Sequence, residues 1–165
     1  DNPKLNCRLK GFEKYSPKRI ILDKNLDIKL NTFIFKSVKK DNTIIFHSSS
    51  KSSKLKILKK RGIILIKCKL DHKKRFNLKK ILKKLFLFGT RNLLVEGGDK
   101  ITKSMLNHRL VNQFYLFKSQ KNLSKSKKYV IFTSNDILSN NYKIKSKITS
   151  NLAKDHITIY KRKNV

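Results

Sequence analysis

Short apolar runs of strand length alternate along this chain with basic stretches of helical period, and this alternation constrains its fold more than any other feature. Residues 43–47 form one such run, and residues 63–66 form another after a lysine-rich interval. In the basic stretches, apolar residues recur three and four positions apart, which is the spacing of one helix face. Strands that alternate with helices predict a layered α/β domain. The strand-rich final third favours a mixed sheet over a purely parallel one.

The same patterns predict individual elements. Strands are predicted at residues 19–23, 32–35, 43–47, 63–66, 92–96, 111–118, 129–132 and 156–161, and helices at 54–61, 78–88 and 99–109. Segments 48–53 and 119–128 are predicted loops. The clearest helix follows Asn77, a possible cap, and presents one apolar face: Leu78, Ile81, Leu82, Leu85 and Phe86. A basic amphipathic helix can lie on a membrane surface, but the flanking strands favour a helix that covers a sheet.

The formal net charge of +32 first suggests a polyanionic partner. The 165 residues fit a single domain and include 35 Lys but only 7 Arg, together with 18 Ile and 15 Asn. Lys, Ile and Asn share A/T-rich codons, so the charge is explained mainly by nucleotide composition. A surface selected for nucleic acid would favour Arg, whose planar guanidinium matches phosphates and base edges. A basic nucleic-acid-binding module therefore stays an alternative, and it is not favoured.

The titratable residues indicate neither a metal site nor a catalytic triad. Cys7 and Cys68 are too isolated for zinc spacing and are predicted to be reduced, largely buried thiols. The four histidines are scattered, and none is assigned a catalytic role. No signal peptide and no apolar run of about 18 residues is visible, which predicts a cytoplasmic protein without a membrane span.

The most informative segment is residues 93–104, where an apolar run leads through Gly97-Gly98 into a predicted helix. The first turn of a helix has N–H groups without partners and a partial positive charge, and glycine lets a ligand approach the backbone closely. Together these features make a possible phosphate site. The hydroxyls and amines of the first turns can add to it: Lys100, Thr102, Lys103 and Ser104. A Gly pair before a helix can also be only a tight turn, and neither GxGxxG nor GxxxxGK[ST] occurs.

Glu96 is the second informative residue, because a carboxylate at the end of a buried strand is costly unless it is paired or faces a site. It is predicted to accept hydrogen bonds from a polar ligand at the carboxyl edge of the sheet. The alternative is a local pairing with a lysine or with a helix N-terminus.

Four motifs in order resemble the reductase domain of the bacterial riboflavin-pathway deaminase-reductase. Residues 1–8 (DNPKLNCR) are similar to its D-[DN]-P-x-L-x-x-R segment, and residues 16–23 (SPKRIILD) to its P-x-R-[IV]-[IV]-[IL]-D strand. Residues 94–98 (LVEGG) resemble its V-E-[GA]-G loop, and residues 106–114 resemble its L-L-x-x-x-L-V-D-E region. The resemblance covers nearly all of residues 1–165 and is faintest after residue 119.

This resemblance implies a dihydrofolate-reductase-like three-layer α/β domain with a mixed, mostly parallel central sheet. It implies an NADPH-dependent reductase that converts the ribosyl group of 5-amino-6-(5-phosphoribosylamino)uracil to ribityl, and a homodimer. The cofactor carries the hydride, so no catalytic side chain is predicted. A reductase of the same fold that acts on another heterocycle is the alternative within enzymes.

Residue roles carry over by position. Leu5, Arg8 and Glu96 match substrate contacts, and an arginine suits a phosphate because it can donate two parallel hydrogen bonds. Residues that match cofactor contacts are Asp1 and the loop and helix start Gly98, Asp99, Lys100, Ile101, Thr102, Lys103 and Ser104.

The chain departs from the family pattern in three places. Lys24 stands where the family often has a small hydroxyl residue, and we hypothesise that it pairs with the 2′-phosphate of NADPH. Asn112-Gln113 replaces an acidic pair. The family domain also begins before the residue equivalent to Asp1, with a first strand and several ligand contacts, and a zinc deaminase domain precedes it in the bifunctional protein. We therefore expect that these 165 residues alone can be inactive, because the absent strand leaves a sheet edge without its partner.

Overall fold

The computed structural model describes residues 2–119, 132–149 and 155–163, and the chain divides into two compact units, Asp1–Asn77 and Leu78–Val165. After one 3-10 turn at Glu13–Tyr15, the first unit contains β1 (Arg19–Leu22), α1 (Phe33–Lys36), β2 (Thr43–His47), α2 (Ser52–Lys60) and β3 (Ile64–Lys67). The second unit contains α3 (Leu78–Leu87), α4 (Asp99–Asn107), β4 (Gln113–Lys118), α5 (Asn135–Asn141), β5 (Tyr142–Thr149) and β6 (His156–Arg162).

The first unit is built on a parallel sheet of strand order β1-β2-β3. The central strand β2 is buried along its whole length, and its apolar centre, Ile44 to Phe46, is typical of a strand covered on both faces. Its core joins α1 and α2 to the sheet and contains Leu26, Phe35, Ile45, Leu58 and Ile63. Gly62 has a φ of +81° and its N–H donates to the carbonyl of Lys59, so it closes α2 in a conformation that suits glycine.

The second unit is built on an antiparallel sheet of strand order β4-β6-β5. Its core consists of Leu106, Leu138 and Tyr142, with Phe114 and Tyr160 packed against it from the sheet. The Tyr142 hydroxyl donates to the carbonyl of Val111 at 3.2 Å, and burial raises the pKa of this phenol. The buried hydroxyl therefore stays protonated and fixes β5 to the start of β4.

Most of the predicted elements are present. The strands predicted at 19–23, 43–47, 63–66, 111–118 and 156–161 correspond to β1, β2, β3, β4 and β6, and the three predicted helices correspond to α2, α3 and α4. The mixed α/β class is confirmed, although the described residues form two separate three-stranded sheets where one central sheet was expected. Residues 120–128 of the predicted loop 119–128 and residues 129–131 of the predicted strand 129–132 lie outside the described residues.

The prediction of a strand at residues 32–35 is wrong, because these residues start the short helix α1. The Asn2 side-chain oxygen accepts the Phe33 N–H at 2.8 Å, and the Ser37 hydroxyl donates to the Phe33 carbonyl at 2.7 Å. These bonds satisfy both ends of one helical turn while Phe35 enters the core. Tertiary contacts thus override the strand preference of an aromatic and β-branched run.

The predicted buried strand at residues 92–96 is also wrong, since this segment is extended but forms no strand among the described residues. Its apolar side chains are exposed, with Leu94 79% accessible. No neighbouring strand in the described part of the chain pairs with it. Phe86, expected on the buried face of α3, is exposed as well and stacks against the Arg91 guanidinium.

Two elements were not predicted at all, the short helix α5 and the strand β5. Cys7 and Cys68 are free thiols, as expected, but each is half-buried and not largely buried. Within residues 2–119, 132–149 and 155–163, no helix has the length and apolarity that a membrane crossing requires.

Candidate cofactor and substrate site

The segment that begins at Asn2 is fastened at two points. Asn2 is bonded to the first residue of α1, and the Cys7 N–H donates to the Ser16 hydroxyl oxygen at 3.1 Å. Between these anchors Leu5 has a φ of +47°, in the left-handed region that non-glycine residues rarely adopt. Such conformations cost about 1–3 kcal/mol and are concentrated at functional sites. Leu26, Asp41, Lys74 and Arg109 also have a positive φ and are not predicted site residues, so the role of Leu5 stays a prediction.

Arg8 follows this fastened segment directly and is exposed. Among the described residues, none forms a hydrogen bond or ion pair with its guanidinium. An arginine held next to an ordered backbone, with its donors still available, is suited to an anionic ligand.

Lys24 lies at the carboxyl end of β1, where the chain is held by side-chain and backbone hydrogen bonds. The Asp23 carboxylate accepts the N–H groups of Asp27 and Ile28 at 2.9 and 2.8 Å. The Lys24 carbonyl accepts both the N–H and the hydroxyl of Ser48, at 2.9 and 3.1 Å. Lys24 is therefore fixed beside the end of β2. The acid of the resembling motif, Asp23, orders this loop.

The carboxyl edge of the parallel sheet also carries polar residues that the sequence analysis did not single out. His47 is buried at the end of β2, with Nδ1 3.2 Å from the Ser49 carbonyl oxygen, and the Lys67 amine donates to the Ser50 hydroxyl at 3.2 Å. Burial lowers the pKa of His47. Sequence analysis could have found these residues only through a general rule, which is that ligands of open parallel sheets bind at the carboxyl ends of the strands.

Gly97 and Gly98 precede α4, and the structure gives a different explanation for each of these glycines. A Cβ on Gly97 would collide with Cγ2 of Ile101, so the helix itself excludes a side chain there. Gly98 has an ordinary backbone conformation, with φ −74° and ψ 176°, and a Cβ there would face open space. The protein's own packing does not require glycine at position 98, whereas a ligand lying on the backbone would.

The first turn of α4 combines this open approach with the N–H groups that every helix start leaves without intrahelical partners. The Thr102 N–H makes an early helical bond to the Gly98 carbonyl at 3.3 Å, and Ile101 packs on Gly97. The Asp99 carboxylate accepts the N–H and the hydroxyl of Thr133 at 3.3 Å, so this acid fastens α4 to the segment before α5. The lysines Lys100 and Lys103 are exposed, and Thr102 and Ser104 are half-buried.

The predicted residues thus form two groups. Leu5, Arg8 and Lys24 lie in the first unit, and Glu96 with Gly98 through Ser104 lies in the second. Asp1 lies outside the described residues. Glu96 is exposed and does not end a buried strand, so the desolvation argument for its role no longer applies. Its contact with substrate, like the other residue roles, stays a prediction.

Comparison with known proteins identifies relatives of this chain. The RibD C-terminal domain family model matches residues 1–156. The riboflavin biosynthesis protein RibD of Aquifex aeolicus is 28% identical over 98% of the chain, which covers 43% of that protein. The same protein from Actinobacillus pleuropneumoniae is 30% identical over 71% of the chain, which covers 30% of that protein. The chain therefore spans less than half the length of these relatives.

Solved structures show the same fold at low sequence identity. Acinetobacter baumannii RibD matches with a TM-score of 0.73 and 18% identity, over 99% of this chain and 44% of that one. A pyrimidine reductase-like protein from Corynebacterium diphtheriae matches with a TM-score of 0.68 and 15% identity, over 91% of this chain and 62% of that one. The described elements and the family match together show that the chain belongs to the RibD C-terminal domain family.

Proposed function

We propose that this chain is the reductase part of a cytoplasmic riboflavin biosynthesis enzyme. In this proposal it is an NADPH-dependent oxidoreductase that converts the ribosyl group of 5-amino-6-(5-phosphoribosylamino)uracil to ribityl. The single observation that carries the proposal is the family match over residues 1–156. The finer parts of the expected fold, a dihydrofolate-reductase-like three-layer arrangement and a homodimer, belong to the proposal as well.

The cofactor contacts are supported by two local geometries. Gly98 leaves open space beside the first turn of α4, where a phosphate group can meet backbone N–H groups and the positive end of the helix dipole. Lys24, held beside the serine-rich end of β2, is proposed to pair with the 2′-phosphate that distinguishes NADPH from NADH. When bound, the cofactor supplies the hydride.

The substrate contacts are assigned to Leu5, Arg8 and Glu96. Arg8 is proposed to bind the substrate phosphate through a bidentate pair, and Leu5 to present backbone and side chain from its fastened segment. Glu96 is proposed to accept hydrogen bonds from the pyrimidine or ribosyl group. These residues bind and orient the substrate, and orientation is the main contribution that hydride transfer requires of the protein.

We further propose that activity needs a strand beyond these residues. The Asn92 to Glu96 segment is extended and apolar, and no backbone hydrogen bond joins it to another described residue. An added strand would pair with it and bury Leu94. The longer gene product is then expected to be active even if the 165-residue chain is not.

Calorimetric titration of the chain with NADPH, at two salt concentrations and with RNA as a competitor, tests the proposal. Saturable binding that prefers NADPH over NADH and resists RNA is the expected result. If NADPH does not bind, but RNA binds tightly and is released by salt, the reductase assignment fails and a polyanion-binding role replaces it. If neither binds, the titration is repeated on the longer product, and absence of NADPH binding there rejects the proposal. Turnover of other heterocyclic substrates by that product separates the riboflavin intermediate from its rivals.

A further inference from the structure

Two neighbouring aromatic side chains are exposed on the segment that leads from Arg8 to β1. The rings of Phe12 and Tyr15 have their centroids 6.0 Å apart, and their planes are tilted by 42°. Phe12 is 55% exposed and Tyr15 is 66% exposed. Single exposed apolar residues are ordinary, but adjacent ones indicate a surface that binds a partner.

Hydrogen bonds hold this aromatic pair in one arrangement. The Phe12 N–H donates to the carbonyl of Leu9 at 3.0 Å, and the Tyr15 N–H donates to the carbonyl of Phe12 at 2.9 Å. The Ser16 hydroxyl closes the turn, since it donates to the carbonyl of Glu13 at 2.6 Å. The backbone that carries the two rings is therefore ordered before any partner binds, which lowers the entropy that binding costs.

Lysines alternate with the aromatic residues along the same segment. Residues 9–18 contain three lysines, Lys10, Lys14 and Lys18, and one acid, Glu13, and all four are exposed. The Lys14 amine lies 5.1 Å from the centroid of the Tyr15 ring, so positive charge is present directly beside an aromatic face. We call the two aromatic residues and the three lysines the stacking surface.

We propose that the stacking surface binds single-stranded nucleic acid with little preference for base sequence. An unpaired base offers flat apolar faces, and its strand carries a negative charge at every phosphate. Aromatic side chains stack on any base and contribute about 1–3 kcal/mol for each one. Lysine binds phosphates as a point charge and lacks the planar fork that reads base edges, so these contacts carry no sequence information.

Other anionic partners fit the stacking surface less well. A nucleic acid duplex keeps its bases stacked on each other and leaves the two rings without a partner. An acidic protein would satisfy the lysines alone. Membrane surfaces bind helices with a long apolar face, whereas the helical turn here is only three residues long. None of the residues in the stacking surface is assigned to NADPH or to the pyrimidine substrate, so this binding goes beyond the proposed reductase function.

Fluorescence anisotropy of a labelled single-stranded RNA of about ten nucleotides, titrated with the full chain, tests this assignment. A net charge of +32 attracts any polyanion, so binding alone is not decisive. The wild type is expected to bind the single strand more tightly than duplex RNA of the same length, although the duplex has the higher charge density. Phe12→Leu and Tyr15→Leu keep apolar bulk but lose the ring. Each is expected to weaken binding of the single strand at least about fivefold and to leave binding of the duplex unchanged.

Phe86→Leu is the matched control, since Phe86 is 58% exposed and the Arg91 guanidinium lies 4.4 Å from its ring centroid, outside the stacking surface. It is expected to bind RNA like the wild type. Because Phe12 and Tyr15 are exposed, circular dichroism and melting temperature are expected to stay unchanged in their variants, and two variants keep the test valid if one folds poorly.

Equal affinity for the single strand and the duplex overturns the proposal, as do ring variants that bind the single strand normally. A loss of the same size in Phe86→Leu would assign the effect to exposed aromatic residues in general and would also reject the stacking surface. Binding to vesicles that contain phosphatidylserine, retained in Phe12→Leu and Tyr15→Leu while RNA binding is insensitive to both, would assign the surface to membranes instead. NADPH titration is a separate measurement, so this proposal and the reductase proposal fail separately.

Discussion

Arg19 donates from Nη2 to the side-chain oxygen of Asn42 at 3.1 Å, and this bond joins the start of β1 to the residue before β2. The same guanidinium donates to the hydroxyl and the carbonyl of Ser37 at 2.7 and 3.0 Å. Arg19 is buried, its acceptors are neutral, and burial lowers its pKa. The arginine of the resembling SPKRIILD segment is therefore a structural residue that fixes three parts of the first unit.

We expect Arg19→Lys to destabilise the chain by about 1–2 kcal/mol, because a lysine amine cannot reproduce the planar fork and leaves half-buried acceptors on Ser37 and Asn42 without donors. Urea unfolding followed by circular dichroism measures the change. Arg75→Lys is the control, since Arg75 pairs with Asp71 on the surface and its replacement is expected to leave the unfolding midpoint unchanged. Equal effects of the two substitutions would contradict the structural role of Arg19.

Gly97→Ala is expected to destabilise the chain by about 1–2 kcal/mol, because the new methyl group collides with Ile101. The double variant Gly97→Ala/Ile101→Ala removes the colliding atom and separates the two effects in a mutant cycle. A coupling energy near zero, measured by urea unfolding, would show that Ile101 is not the cause.

Gly98→Ala is expected to leave stability nearly unchanged, because the ordinary φ and open space favour alanine while its poorer capping of α4 offsets that gain. NADPH binding is expected to weaken about tenfold or more, because the methyl group occupies the space proposed for a phosphate. Calorimetry on the variant and the wild type measures this. Unchanged affinity would remove the first turn of α4 from the cofactor site.

Lys24→Ala is expected to weaken NADPH binding about tenfold and to leave NADH binding unchanged, because only NADPH carries the 2′-phosphate. Lys29→Ala serves as the matched control, with an exposed lysine a few residues further along the same loop. A ratio of NADPH to NADH affinity that is the same in Lys24→Ala and wild type would show that Lys24 does not read this phosphate.

The stability of the chain is expected to fall as the pH drops below about 6.5, the ordinary histidine value. Burial is the largest cause that lowers the pKa of His47, and the nearby Lys67 charge adds to it, whereas the Ser49 carbonyl and Asp23 oppose it. The folded state therefore holds His47 neutral while the unfolded state binds a proton. The contribution of His47 to stability is therefore fully present when the pH is above the pKa of this residue in the unfolded state. It is lost as the pH falls toward the lowered pKa of the folded state.

Thermal unfolding from about pH 7.5 to about pH 5.5 measures this dependence. His47→Gln has no titrating ring and is expected to show a flatter profile. The lowered pKa values of Asp27 and Asp71 affect stability only at more acidic pH, so they do not overlap this window. The same slope in His47→Gln and the wild type would assign the effect to other groups.

Local sequence patterns predicted the elements that their own residues determine. The three apolar residues at the centre of β2 and the apolar face of α3 needed no distant partner to be recognised. Residues 32–35 could not be assigned correctly, because their helical turn depends on Asn2, which is 31 positions away in the sequence. Residues 92–96 have the composition of a strand, but a strand also requires a neighbouring strand for backbone hydrogen bonds, and none of the described residues provides one.

The candidate site was predictable to a similar extent. The glycines and the helix start at 97–104 were visible as a motif, yet the different roles of Gly97 and Gly98 depend on the packing of Ile101. His47 and Ser48 were not singled out, because their place at the edge of a parallel sheet follows from strand pairing. Strand β5 alternates Lys143, Lys145 and Lys147 with mostly apolar residues, and this period of two was available in the sequence but was not singled out.

The left-handed φ of Leu5 places two opposed demands on one position. The backbone would be relaxed by glycine or asparagine, which adopt this conformation readily, and no β-branched residue fits it. The chain nevertheless has a leucine there, and in the proposed function this residue contacts the substrate. Under that proposal, a substitution at position 5 that makes the protein more stable is expected to make it a poorer reductase, and screening for stability alone would select against the proposed function.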